Sequence, residues 1–140
     1  MPVIANETCT CPAACKELCG KDFDVSDSTR LHAVFDLDNT AVGVTVDCRD
    51  ASVSLVFHPA VQVPVGLCEG FTRFCFEHDD PQMVEIALDE KDGEVRLIKH
   101  VPARKQDIEA AIREYLAFFD ATAYPAILAY LKQRFEEKYR

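Results

Sequence analysis

The stretch RLHAVFDLDNTAVGVTVDCRDASVSLVFHP, residues 30–59, decides the fold class. Within it Ala33, Phe35 and Leu37 alternate with His32, Val34 and Asp36. Val42, Val44, Val46 and Cys48 then alternate with Gly43, Thr45 and Asp47, and Val53, Leu55 and Phe57 with Ser52, Ser54 and Val56. Successive side chains of a strand point to opposite faces, so each run has one apolar face and one more polar face. Asp38-Asn39-Thr40 and Arg49-Asp50-Ala51 supply turn chemistry between the runs. Three period-two runs joined by short polar turns predict an antiparallel meander with one polar face.

Outward from the meander, helix and hairpin signals follow. In residues 65–78 Leu67, Phe71, Phe74 and Cys75 recur at helical spacing, which favours a helix although Phe74-Cys75-Phe76 also fits a strand, and Asp79-Asp80-Pro81 ends the segment. Val84, Ile86 and Leu88 alternate up to Asp92-Gly93, and Val95 and Leu97 alternate after it, so these five share one face of a hairpin. Ile108, Ile112, Tyr115, Leu116 and Phe119 form one helical stripe; Ile127, Leu128, Leu131 and Phe135 form a second, with Pro125 separating the two or opening the second. Before the meander, Pro12 suits a helix start and Gly20 a helix stop, which predicts a short helix over 12–19. The expected order is α-β-β-β-α-β-β-α, one α+β domain over residues 1–140 with a cysteine-rich lead at 1–20.

Composition bounds the partners. The 140 residues carry 24 acids and 15 bases, a net charge of −9. Phosphate backbones and anionic lipid surfaces need clustered Lys and Arg, so nucleic acid and membrane are not expected partners. Residues 1–95 hold 18 acids against 6 bases, a net of −12, and residues 96–140 hold 6 against 9, a net of +3. This contrast marks either a solvated acidic face, the simpler reading, or attraction across the fold or a dimer interface, and it points to self-association rather than to a charged substrate. Seven cysteines are too few for a disulfide scaffold of this length. The start MPVIANETC lacks a basic signal-peptide region, and no run approaches the roughly 18–20 apolar residues of a membrane helix. A reducing cytoplasm with free thiols is the expectation, and the glycosylation triplet Asn6-Glu7-Thr8 has no secreted context.

The meander, the exit VQVPVG, the hairpin MVEIALDEKDGEVRLIKHVP and the ending DIEAAIREYLAFFDATAYPAIL together resemble the YbjN-type proteins, which share the type III secretion chaperone-like fold. The likeness spans about 115 residues and lies in element order and local pattern. It implies a five-stranded sheet with packed helices, frequent dimerisation, and a protein-binding or regulatory role without catalysis. It brings no catalytic residues. The short cysteine-rich lead departs from the family, whose first helix is longer and more apolar.

A second resemblance is local. Residues 33–40, AVFDLDNT, match the first motif of haloacid dehalogenase-like phosphatases. That resemblance implies Asp36 as nucleophile on phosphorus and Asp38 as proton shuttle, both helping to hold Mg²⁺, with Asp79-Asp80 as the later acid pair. The family also needs a Lys before that pair, yet no Lys occurs between Lys21 and Lys91. It needs strand-crossover-strand units as well, and about 40 mostly alternating residues leave no room for them. The simpler reading makes Asp36, Asp38 and Asp47 the solvent side of a half-buried hairpin.

Cys9, Cys11, Cys15 and Cys19 could wrap a zinc ion or an iron–sulfur cluster, but their spacing is not a common one. Otherwise Cys15 and Cys19 pack beneath the short helix, with Cys9 and Cys11 as oxidisable loop residues. Cys48, Cys68 and Cys75 read as core. His32, His58, His78 and His100 show no ligand spacing and read as strand-edge or turn residues. Residues 77–94 hold eight acids against one Lys but lack the EF-hand pattern, which makes them a solvated turn and hairpin. The sequence therefore points to a non-catalytic, chaperone-like protein-binding or regulatory domain, a homodimer with no cofactor. The alternatives are a Mg²⁺-dependent phosphatase and a metal or redox role for the lead cysteines.

Overall fold

The computed structural model describes residues 17–26, 29–49, 52–77, 85–89 and 91–138. In chain order these form β1 (Glu17–Leu18), β2 (Lys21–Asp22), β3 (Asp24–Val25), β4 (Arg30–Asp36), β5 (Ala41–Arg49) and β6 (Ser52–Pro59). Helix α1 (Cys68–Glu77), β7 (Glu85–Leu88), β8 (Val95–Pro102), α2 (Lys105–Phe118) and α3 (Tyr124–Lys138) follow. Strands β3-β4-β5-β6-β8-β7 make one six-stranded sheet, every neighbouring pair antiparallel, and β1-β2 is a separate hairpin. The architecture is α+β.

The period-two pattern places the core. Register sets Val44 between Ala33 and Phe57, and Val46 between Leu31 and Leu55. All six are buried, together with Val42, Cys48 and Val53. Helix α2 lies over this face and buries Ile108, Ile112, Tyr115 and Leu116, the predicted stripe. The Tyr115 ring meets Phe57 at 4.6 Å. Extended Pro64 leads into a 3₁₀ turn, Val65–Leu67, and then α1, so the helical reading of this segment holds. Leu67, Cys68 and Phe71 are buried, whereas the Cys75 side chain lies outside the described residues.

The second hairpin closes through a four-residue loop. Asp89 N–H donates to the Glu94 carbonyl at 2.9 Å, and Gly93 N–H donates to the Asp89 carbonyl at 2.7 Å. Two Asx contacts stiffen the loop, Lys91 N–H to Asp89 Oδ1 and Glu94 N–H to Asp92 Oδ1, both 2.9 Å. Ile86 faces Leu97 and Leu88 faces Val95, so these four share one face as expected, although Ile86 on the edge strand is 38% exposed; Val84 lies outside the described residues.

Three expectations need correcting. The predicted helix over 12–19 is not helical at its described end: Glu17–Leu18 is strand, and Cys19 and Gly20 turn the chain. Both turn residues have positive φ, 56° and 72°, the signature of a type I′ hairpin turn. The positive φ that makes glycine a good helix stop serves equally well in a tight hairpin, which is why Gly20 misled. Residues 12–16 lie outside the described residues. Second, the sheet has six strands, because the two-residue β3 pairs with β4 through Asp24↔His32 and Val25↔Leu31. Two residues are too few for any period to register. Third, the stripe Ile127, Leu128, Leu131, Phe135 is not a core stripe: Ile127 is buried, but Leu128 is 45% and Phe135 50% exposed. Helix α2 already covers the sheet, and α3 has mainly α1 and the 3₁₀ turn to pack against.

Pro125 does not break the chain between α2 and α3. A π-helical turn, Phe119–Ala123, joins them, with Tyr124 N–H donating five residues back to the Phe119 carbonyl. The wider turn makes room for the proline ring, which would otherwise press on the carbonyl four residues earlier.

Two glycines with positive φ separate backbone strain from steric fit. At Gly93 (φ 76°) an added Cβ would collide with the backbone of Val63, whose N–H donates to the Gly93 carbonyl at 2.8 Å. At Gly20 (φ 72°) a Cβ meets open space. Gly20→Ala should therefore cost about 1 kcal/mol of unfolding free energy, the left-handed penalty alone. Gly93→Ala should cost on the order of 3 kcal/mol or more. Urea midpoints of the two variants test the difference.

Candidate functional site

The face of the sheet opposite α2 carries a polar network around an apolar centre. Register runs one row across the strands: His32 beside Thr45, Thr45 beside Val56, Val56 beside Ile98, Ile98 beside Glu85. The adjacent row brings Val34, Gly43 and His58 together. Gly43 supplies the space for this. A Cβ there would lie 3.2 Å from His32 Cε1 and 3.5 Å from His58 Cβ, so the His32 ring occupies the place of the missing side chain.

The Thr45 hydroxyl links the two rings, 3.1 Å from His32 Nδ1 and 3.1 Å from His58 Nε2. A hydroxyl can both donate and accept, so it can serve both ring nitrogens, and the rings stand edge to face at 6.1 Å. Burial lowers the His58 pKa from its ordinary value, and the nearby Arg96 guanidinium and His32 lower it further. Further along, Ser54 Oγ meets His100 Nδ1 at 3.1 Å, and Arg30 pairs with Asp47 at 3.5 Å. Among the described residues, nothing that β4, β5, β6 or β8 points to this side is buried apart from Gly43. Val34 is 47% exposed, and Val56 and Ile98 are half-buried. Such a face can dock a flat, mixed surface.

The phosphatase-like residues find a different setting. Asp36 ends β4 opposite Ala41 in an antiparallel pair, and Asp36 and Asp38 are both exposed. Every strand pair among the described residues is antiparallel, so the parallel strand that presents a nucleophilic carboxylate in haloacid dehalogenase-like enzymes has no counterpart there. The turn binds the helices instead. Asn39 N–H donates to Asp120 Oδ1 at 2.9 Å, and Asn39 Nδ2 donates to the Asp120 carbonyl at 3.1 Å, which pins the β4–β5 turn to the π-helical turn.

Of the four lead cysteines, Cys9, Cys11 and Cys15 lie outside the described residues, as does His78. Cys19 is half-buried in the β1–β2 turn. Its N–H donates to Glu109 Oε2 at 2.7 Å and its thiol donates to the Glu109 carbonyl at 3.4 Å. Burial raises the Cys19 thiol pKa; Arg113 opposes this and Glu109 adds to it. A raised pKa disfavours the thiolate that metal binding or redox attack requires. Cys48 and Cys68 are buried, as expected of core. Among the described residues, no three His, Cys, Asp or Glu side chains converge as a metal site, and no helix is long and apolar enough to cross a membrane.

The histidine pair escaped the sequence reading because its members come from different strands. A usable signal did exist: the two meander turns set the pairs 32 with 45 and 43 with 58, which puts Thr45 beside His32 and one row from His58. The chain matches no known protein family, no curated protein and no solved structure.

The lowered pKa has a thermodynamic consequence. Below about pH 6.5 the unfolded chain takes up a proton that folded His58 resists, so this contribution is whole above that pH. It is lost as pH falls through the lowered folded value. The unfolding free energy of the wild type should therefore fall more steeply between about pH 8 and pH 5 than that of His58→Gln, as urea denaturation at each pH would read.

Proposed function

We propose that this chain is a non-catalytic protein-binding domain of the chaperone-like type that works as a homodimer, with the open sheet face as its self-association surface. The observation that carries this reading is that face itself: a broad antiparallel surface with an apolar centre at Val34, Val56 and Ile98 and no cover among the described residues. Apolar surface left in water is unfavourable, and burying it against a partner recovers about 25 cal/mol per Å². The occupant is a second copy because the face is its own complement in charge, with Arg30 and Arg96 set among Asp47 and Glu85. The resemblance to YbjN-type proteins supports the same reading. The His32–Thr45–His58 network fits a docking role better than a catalytic one, since the Thr45 hydroxyl is spent between two imidazoles.

Sedimentation velocity at micromolar concentration should show a dimer. Val34→Glu combined with Ile98→Lys should yield a monomer. Both positions are at least partly exposed in the single chain, so the unfolding free energy should change by less than about 1 kcal/mol. A wild-type chain that stays monomeric throughout that range overturns the reading, and in that case capture of a different protein would assign the face to another partner.

A further inference from the structure

Three of the chain's four histidines, His32, His58 and His100, stand on the open face of the sheet; His78 lies outside the described residues. His32 and His58 are the close pair, each within 3.1 Å of the Thr45 hydroxyl and with ring centroids 6.1 Å apart. Their strands, β4 and β6, are not neighbours, and Gly43 on the strand between them is what lets the His32 ring lean across. In the single chain both rings are half-buried, so water still reaches them.

The surrounding charges decide what a proton does there. From β8 Arg96 acts on His58, and Glu94 takes that guanidinium at 3.6 Å. From β3 Asp24 stands opposite His32. Along β4 and β5 Arg30 pairs with Asp47 at 3.5 Å, and Asp36 closes β4 beyond Val34. Beside the pair itself β5 contributes Gly43 and Thr45, neither of them charged. Glu94 and Asp47 are therefore engaged by arginines, and Asp24 alone cannot answer two imidazolium charges that also repel each other. Burial, then Arg96, then His32 already hold the His58 pKa below its ordinary value. His100 differs, because Glu85 lies 3.7 Å from its Nε2 and can receive its charge.

Docking of a second copy sharpens the effect. A two-fold contact presents the same patch from both chains, so four imidazoles and two Arg96 guanidinium groups share one interface. Excluding water there removes the solvent that would stabilise a charged ring.

We infer that self-association through this face is gated by His32 and His58: the dimer holds while both imidazoles are neutral and opens as they take up protons. This inference rests on the dimer reading above and supplies its control. The sign follows from linkage. Separated chains bind protons that docked chains resist, so the dimer dissociation constant rises as pH falls through about 6.5 and below.

The test is a sedimentation-velocity dilution series of the full-length chain at about pH 8 and about pH 5.5, at one ionic strength, with circular dichroism checking the fold at each pH. The wild-type dissociation constant should be at least about tenfold higher at the lower pH. His32→Gln with His58→Gln should keep the dimer at both, with constants within about threefold of each other. His100→Gln should leave the wild-type response in place. If the double variant does not fold, His58→Gln alone should show a smaller response than the wild type. If the wild type loses its fold near pH 5.5, His58→Lys at about pH 8 fixes a charge at that position and should raise the constant at least about tenfold.

A wild-type monomer at every concentration and at both pH values overturns the dimer reading and this inference with it. A dimer with the same constant at both pH values overturns this inference alone. So does a pH response that survives unchanged in the glutamine variants, one that His100→Gln abolishes, or a His58→Lys dimer as tight as the wild type.

Discussion

The Tyr115 ring rests 4.6 Å from Phe57, where α2 crosses the middle of the sheet, and the other layers are arranged around that contact. Phe57 belongs to β6, a central strand, and is fully buried; Tyr115 is 2% exposed. Each large apolar side chain buried this way contributes about 1.5–3 kcal/mol, and Ile108, Ile112 and Leu116 add theirs along the same helix. Once α2 is seated, Glu109 is in position to receive Cys19, which fastens the β1–β2 hairpin, and Phe119 closes the core at the far end. One helix therefore covers one face of the sheet. On the other face the described side chains stay exposed or half-buried.

The same seating fixes the course of α3. The chain leaves α2 through a π-helical turn that Asn39 grips by way of Asp120, so the direction of α3 is set from the β4–β5 turn as well as from within the helix. Led past the sheet, α3 packs Tyr130 against Phe74 and leaves Leu128 and Phe135 exposed.

Local reading succeeded wherever the determinant was itself local. Alternation in residues 30–59 is a property of strand geometry, and the apolar face it implied for Val42, Val44, Val53 and Leu55 matches their burial. It failed at Gly20, where one conformational preference serves both a helix stop and a hairpin turn. It failed again at Leu128 and Phe135, because an apolar stripe shows that a helix could be buried without showing that any surface remains to bury it. The match at 33–40, set aside in favour of a hairpin, shows a related limit of short motifs. A short motif specifies residue types, while a nucleophilic carboxylate also needs the strand arrangement around it.

The sequence by itself determined the α+β class, the antiparallel meander, the hairpin at 85–97 and the inward face of α2, because each follows from periodicity and turn chemistry over a few residues. Only the tertiary structure decided which side chains from distant segments meet: His32 with Thr45 and His58, Asn39 with Asp120, Phe74 with Tyr130. Those meetings depend on strand register, on the side of the sheet that α2 takes and on the wide turn before Pro125. Each of these is settled by packing the whole chain, and a window of sequence carries no trace of it.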